Sequence, residues 1–248
     1  MAHNHETASG ILAPATKIVI MAQGEQRRLA ALGHPKHLLM VGGELILWRT
    51  VRLVREFLGA DVAITVIGLP AHAASCALLN VELVTLEDPG FCVLDGMLAA
   101  QKHWGRDRDR TLVILGDVVF SRQALRAIVT DTRPLVFAGT TDVSRSLGEI
   151  FATSFVDRQD MLDALATCPC RVGHNGRRTV HYPRAQGGHL RRLLWWAMER
   201  RQLRPIVQQH TWHPDLFQPV DDWTDDIDTP GDLTRLPELE SHVRSDAR

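Results

Sequence analysis

Two segments of this 248-residue chain place carboxylates where a divalent cation could be held. The apolar run Thr111-Leu-Val-Ile-Leu115 ends in Gly116-Asp117, which sets a carboxylate at the carboxyl edge of a strand, a natural magnesium ligand. The same aspartate could instead cap a helix starting near Ser121. Near the other end stands Asp225-Asp226-Ile227-Asp228-Thr229-Pro230-Gly231-Asp232-Leu233. Here one acid could ligate while another supports a helix opened by Thr229-Pro230.

The complementary, anion-binding chemistry stands near the start. A strand, Lys17-Ile-Val-Ile-Met-Ala22, opens into Gln23-Gly24-Glu25-Gln26-Arg27-Arg28-Leu29, and Pro35-Lys36-His37 and Gly42-Gly43 follow. Backbone N–H groups of such a loop, with a lysine and an arginine, would surround a polyphosphate. Only three of the 28 basic residues are lysines, so a lysine after Pro35 fits a compact point charge on phosphate.

In order and spacing these segments resemble the signature of the NTP-transferase family with the glycosyltransferase A-type fold. That family includes sugar-phosphate nucleotidyltransferases and molybdenum cofactor guanylyltransferase-like proteins. Ala22, Gly24, Arg28, Pro35, Lys36 and Gly43 hold the places of its Ala-Ala-Gly-x-Gly-x-Arg-Met, Pro-Lys and Gly-x-x-hydrophobic pattern. Gln23 replaces the second alanine, Leu29 the residue after arginine, and Gln26 the second glycine, where a side chain would crowd a β-phosphate or block a positive φ.

The resemblance implies Mg2+-dependent transfer of NMP from an NTP to a small phosphorylated or phosphonate acceptor, releasing pyrophosphate. It makes Lys36 and Arg28 catalytic and assigns the nucleotide to residues Ala22, Gln23, Gly24, Glu25, Gln26, Arg27, Arg28 and Lys36, with Asp95 and Gly96 toward the base. Asp117 and Asp228 become the metal ligands, with Asp226 competing for the second place. A catalytically silent nucleotide-sensing domain and a nucleotide-sugar glycosyltransferase are the alternatives. The latter would use Asp226-Ile-Asp228 as its Asp-x-Asp, which comes late in the chain. A Rossmann dehydrogenase would want Gly-x-Gly-x-x-Gly after the first strand, and Gly24 begins no such pattern.

The elements that must position these groups follow from periodicity. Apolar runs at 17–22, 62–69, 81–86, 111–115 and 134–139 alternate with helical patterns at 44–58, 71–79, 93–104 and 121–130. This series predicts an α/β fold, a single-domain Rossmann-like three-layer sandwich around a mostly parallel mixed sheet, of the nucleotide-diphospho-sugar transferase type. Function then belongs at the carboxyl ends of the strands. Residues 1–16 read as a flexible leader, 17–236 as the nucleotidyltransferase domain with acceptor-site insertions at about 140–220, and 237–248 as a C-terminal tail. A further helix is expected near 188–202, with Trp195 and Trp196 in packing roles.

Charge is segregated although the net value is only −1. Arg171 to Arg204 holds nine arginines and one acid, and Arg177, Arg178 and Arg184 are the candidates for an acceptor phosphate. This balance excludes a general nucleic-acid binder. No apolar run is long enough to span a membrane, and the four cysteines form no disulfide framework, so a cytoplasmic protein is expected. Cys168, Cys170, His174 and His181 lack the usual zinc spacing. A homodimer is a reasonable expectation.

Overall fold

The computed structural model describes residues 15–23, 27–87, 93–106, 108–141, 149–167, 189–201 and 213–246. The first strand, β1 (Thr16–Ala22), is buried from Ile18 onward, as expected of a central strand covered on both faces. A 3-10 stretch at Arg27–Leu32 and a 3-10 turn at Lys36–Leu38 lead into the hairpin β2 (Met40–Val41) and β3 (Glu44–Leu45). Gly42 and Gly43 form its turn with φ of 64° and 92°, the two positive values that a tight two-residue hairpin requires. The hairpin claims residues 44 and 45, so α1 (Ile46–Leu58) starts later than the apolar spacing suggests.

The chain continues through β4 (Ala63–Gly68), α2 (Ala73–Leu79), β5 (Glu82–Val84) and α3 (Val93–Ala99). Then come β6 (Arg110–Leu115), β7 (Val118–Val119), α4 (Arg122–Thr130) and β8 (Leu135–Gly139). The last part contributes β9 (Ile150–Phe155), α5 (Arg158–Thr167), α6 (His189–Arg200), β10 (Phe217–Pro219), β11 (Asp225–Asp226), α7 (Pro230–Leu233) and α8 (Leu236–Asp246).

The main sheet has the order β10-β8-β9-β6-β1-β4-β5. Strands β6, β1, β4 and β5 run parallel, β10 runs parallel to β8, and β9 is antiparallel to both its neighbours. Side-chain alternation along β1 divides the core. Ile18 and Ile20 meet Leu47, Val51, Leu125 and Ile128 of α1 and α4, while Val19 and Met21 belong with Met97, Met161 and Leu193 on the other face. Each such fully buried aliphatic side chain contributes about 1.5–3 kcal/mol. The single α/β domain and its mixed, mostly parallel sheet are as the sequence implied.

Two segments differ from expectation. Residues 150–155, within the stretch read as insertions, form a wholly buried strand between β6 and β8. Residues 237–248 were read as a tail, yet α8 occupies them as far as Asp246. It buries Leu239 and Val243 in a third cluster with Leu29, Val41, Ile46, Val119 and Ile227. Among the described residues, no helix is long and apolar enough to cross a membrane.

Candidate active site

Strand β6 delivers Asp117 to the carboxyl edge of the sheet. The Gly116 N–H donates to the Met21 carbonyl over 2.9 Å, and a Cβ at position 116 would stand 3.1 Å from that oxygen and 3.2 Å from the Ala22 methyl. Glycine therefore lets the end of β6 lie against the end of β1. Asp117 is not needed as a helix cap, because the Ser121 side chain accepts the Ala124 N–H over 2.8 Å and caps α4 itself.

The second acidic segment is brought to the same place by pairing. β11 runs antiparallel to β7, with Asp225 opposite Val119 and Asp226 opposite Val118. Ile227 is fully buried under α8, so its two flanking aspartates turn the other way, toward the sheet edge. The helix-start role falls to Asp232, whose carboxylate accepts the N–H groups of Asp228 (3.0 Å) and Thr229 (2.6 Å). Asp228 is left to point at the site.

Lys36 joins the two carboxylates. Its Nζ lies 2.5 Å from Asp117 Oδ2 and forms a second ion pair with Asp228 Oδ1. Burial opposes the charge on Lys36, but Asp117 and Asp228 outweigh it and raise the pKa above the ordinary lysine value. The ammonium is thus fixed in its charged form between two acids from distant parts of the chain.

Beside this clasp stands a group that the sequence reading missed. Glu149, entering β9, places a carboxylate oxygen within 4.8 Å of oxygens of Asp226 and Asp228. Burial first, and then the charge and hydrogen bond of Glu149, push the Asp226 pKa up to about 10. Glu149 is held by its backbone, its carbonyl accepting the Thr140 N–H over 2.9 Å. A lone acid before a strand has no spacing signature, and only the antiparallel return of β9 brings it here. Glu149, Asp226 and Asp228 form a cluster of hard oxygen donors that could hold a cation, and Lys36 links Asp228 to Asp117 beside it.

On the nucleotide side, Ala22 is fully buried and Gln23 extends from the end of β1 over α3. A Cβ on Gly96 would fall 1.6 Å from Gln23 Nε2, so a side chain larger than hydrogen at 96 would displace the carboxamide. Gln23 and Gly96, two of the residues assigned to the nucleotide, are thereby in contact. Gly24, Glu25 and Gln26 lie outside the described residues. Arg27 and Arg28 open the 3-10 stretch, with their side chains outside that description. Arg177, Arg178 and Arg184 also lie outside it, as do Cys168, Cys170, His174 and His181.

A cavity of about 210 Å³, lined by Leu135, Phe137, Phe155, Met161, Leu193 and Trp196, lies between β8, β9, α5 and α6. It opens at the amino-terminal pole of the parallel strands, since Leu135 and Thr111 both pair with Phe155, and it is separate from the carboxylates.

The α/β sheet thus carries a lysine and clustered acids at its carboxyl edge, the place where ligands of such sheets bind. The model of the MobA-like NTP transferase domain matches residues 18–216, and the chain belongs to that family of nucleotidyltransferase-type enzymes. Among curated proteins none matches the chain. Solved structures share the fold at low identity. A Bacillus anthracis protein assigned as a glucose-1-phosphate thymidylyltransferase, in complex with sucrose, has a TM-score of 0.61 at 16% identity, covering 91% of this chain and 95% of its own. A nucleotidyl transferase from Methanothermobacter gives 0.58 at 18%, covering 93% and 99%. The CTP:phosphocholine cytidylyltransferase of Streptococcus pneumoniae gives 0.58 at 14%, covering 91% and 99%.

Proposed function

We propose that this protein transfers an NMP unit from an NTP to a small phosphorylated acceptor, such as a sugar phosphate, and releases pyrophosphate. The observation that carries the reading is the placement of Lys36 between Asp117 and Asp228 at the carboxyl edge of the sheet. Mg2+ would be held by Asp117 and Asp228, with Glu149 and Asp226 beside them, and when bound supplies charge neutralisation at the α-phosphate.

Lys36, locked in its charged form, is placed to stabilise the β- and γ-phosphates. One unit charge at 4 Å contributes on the order of 4 kcal/mol at an effective dielectric near 20. An oxygen of the acceptor phosphate attacks the α-phosphorus, a new P–O bond forms, and the bond to the β-phosphate oxygen breaks as pyrophosphate leaves. The acceptor is already anionic at pH 7, so the chemistry needs positioning more than a general base. The acceptor phosphates in the names of the similar structures support this substrate class.

The test is pyrophosphate release from each NTP with Mg2+ and a panel of phosphorylated and phosphonylated acceptors, with Asp117→Ala and Lys36→Ala as controls. Release that requires one NTP, one acceptor and both side chains supports the reading. NTP binding without release for any acceptor would point to a sensing domain.

A further inference from the structure

Next to Lys36, and outside the chemistry described above, lies a buried pair of histidines. His37 is 2% exposed and His72, in the turn between β4 and α2, is fully buried. Their rings are tilted against each other, 5.2 Å apart at 59°, with His72 Nε2 at 3.3 Å from His37 Nδ1. The Leu69 N–H donates to His72 Nδ1 over 2.9 Å. The Leu69 carbonyl oxygen stands 3.1 Å from the same nitrogen, so the Leu69 backbone holds His72 Nδ1 in either tautomer and leaves Nε2 to pair with His37. Burial pushes both rings below the ordinary histidine pKa, which keeps the pair neutral. Gly68 fits the arrangement, because a Cβ there would stand 3.0 Å from His72 Nδ1.

We infer that the His72–His37 hydrogen bond is a positioning device for Lys36. The inference rests on the reading of Lys36 as the phosphate-side cation. Lys36 and His37 are consecutive in a single 3-10 turn, closed by the Leu38 N–H on the Pro35 carbonyl (2.9 Å) and the Leu39 N–H on the Lys36 carbonyl (3.0 Å). Neighbouring side chains in such a turn point about 120° apart. Anchoring His37 inward to the end of β4 therefore fixes the direction in which Lys36 leaves the turn, and that direction leads to Asp117 and Asp228. His72 and His37 touch no reacting atom, so each acts through Lys36.

Two substitutions at one position separate this role from simple turn support. His72→Asn keeps an acceptor for the Leu69 N–H but is too short to reach His37. His72→Gln can place a carboxamide, able to donate or accept, where Nε2 stands. The chain holds only Lys17, Lys36 and Lys102, so acetylation by an N-hydroxysuccinimide ester at pH 8, followed by peptide mass spectrometry, reads Lys36 directly. In the wild type the clasped Lys36 should react at least tenfold more slowly than exposed Lys102. In His72→Asn, Lys36 should react at least tenfold faster than in the wild type with Lys102 unchanged, and kcat should fall about tenfold or more. His72→Gln should restore both. His37→Phe, which keeps a buried ring without its nitrogens, should repeat the His72→Asn result and serves if that variant does not fold. Unchanged Lys36 reactivity in a folded His72→Asn or His37→Phe protein, or loss of fold in both, would overturn the inference. The labelling needs no turnover, so a wild-type protein that releases no pyrophosphate would count against the proposed function alone.

Discussion

Asp226 stands directly opposite Val118 in the antiparallel ladder that joins β11 to β7. That one register relation brings the late acidic segment to the Gly116-Asp117 turn, because Asp117 precedes Val118 and Asp228 follows the buried Ile227. It also separates the roles of the two nearby aspartates. Asp226 is half-buried and hydrogen-bonded to Glu149, with its pKa pushed far above the usual carboxylate range, whereas Asp228 is about two-fifths exposed and pairs with Lys36.

From this difference, Asp228→Asn should lower kcat/KM by on the order of 10³-fold, since it removes a charge from the reacting side. Asp226→Asn keeps a neutral hydrogen-bond donor toward Glu149 and should lose roughly tenfold. Steady-state pyrophosphate assays on the two variants decide the matter, and a larger loss for Asp226→Asn would make Asp226 the working carboxylate.

Lys36 occupies the space between the two acids that are also the candidate cation ligands. Lys36→Met should therefore abolish most activity, by about 10²-fold or more, while tightening the binding of a divalent ion through removal of a competing charge. Titration with Mn2+, followed by electron paramagnetic resonance of the free ion, measures the affinity. Weaker Mn2+ binding in the variant would show that the lysine supports the cation site instead of competing with it.

The main-sheet strands and the α-helices through residue 139 were legible because each is a short apolar run with its own period, whereas the two-residue strands β2, β3 and β7 are too short to show one. Lys36, Asp117 and Asp228 were legible because each sits beside a residue with backbone consequences: Pro35, Gly116, and Thr229-Pro230. Glu149 was not, since its place depends on the antiparallel entry of β9 between β6 and β8, and an isolated glutamate carries no trace of that pairing. The histidine pair was hidden for the same reason. His37 and His72 are separated in sequence by a hairpin, a helix and a strand, and only the tertiary fold makes them partners.

Acid should expose the histidine pair. Both rings have folded pKa values below the ordinary 6.5, so as the pH falls through about 6.5 the unfolded chain takes up protons that the folded chain does not. Stability from this source is fully present above pH 6.5 and is lost progressively as the pH falls toward the depressed folded values. Thermal melts between pH 7.5 and 5.5 should show Tm falling in the wild type and falling less steeply in His37→Phe. Parallel curves would mean that the pair does not contribute to the pH dependence.

The C-terminal helix should behave as part of the domain. Gly42 has a φ of 64°, and a Cβ there would fall 2.5 Å from Val243 Cγ1 of α8, so Gly42→Ala meets both backbone strain and a clash. At Gly43, φ is 92° and the space beyond is open, so Gly43→Ala meets strain alone. Overpacking of this kind costs about 1–3 kcal/mol and a strained φ about 1 kcal/mol or more. Gly42→Ala should thus be the more destabilising, by about 1–3 kcal/mol in urea unfolding. Truncating Val243 should narrow the difference: a Val243→Ala background removes the Cγ1 approach at 2.5 Å while Cβ at 2.9 Å remains, so the two glycine substitutions should move closer without becoming equal. Equal destabilisation in the wild-type background would show that α8 does not press on the hairpin. A difference that narrows with Val243→Ala would establish that residues 236–246 hold the hairpin after Lys36 and the Ile227 anchor in one packed unit, so that shortening the chain at 235 would disturb the carboxylates themselves.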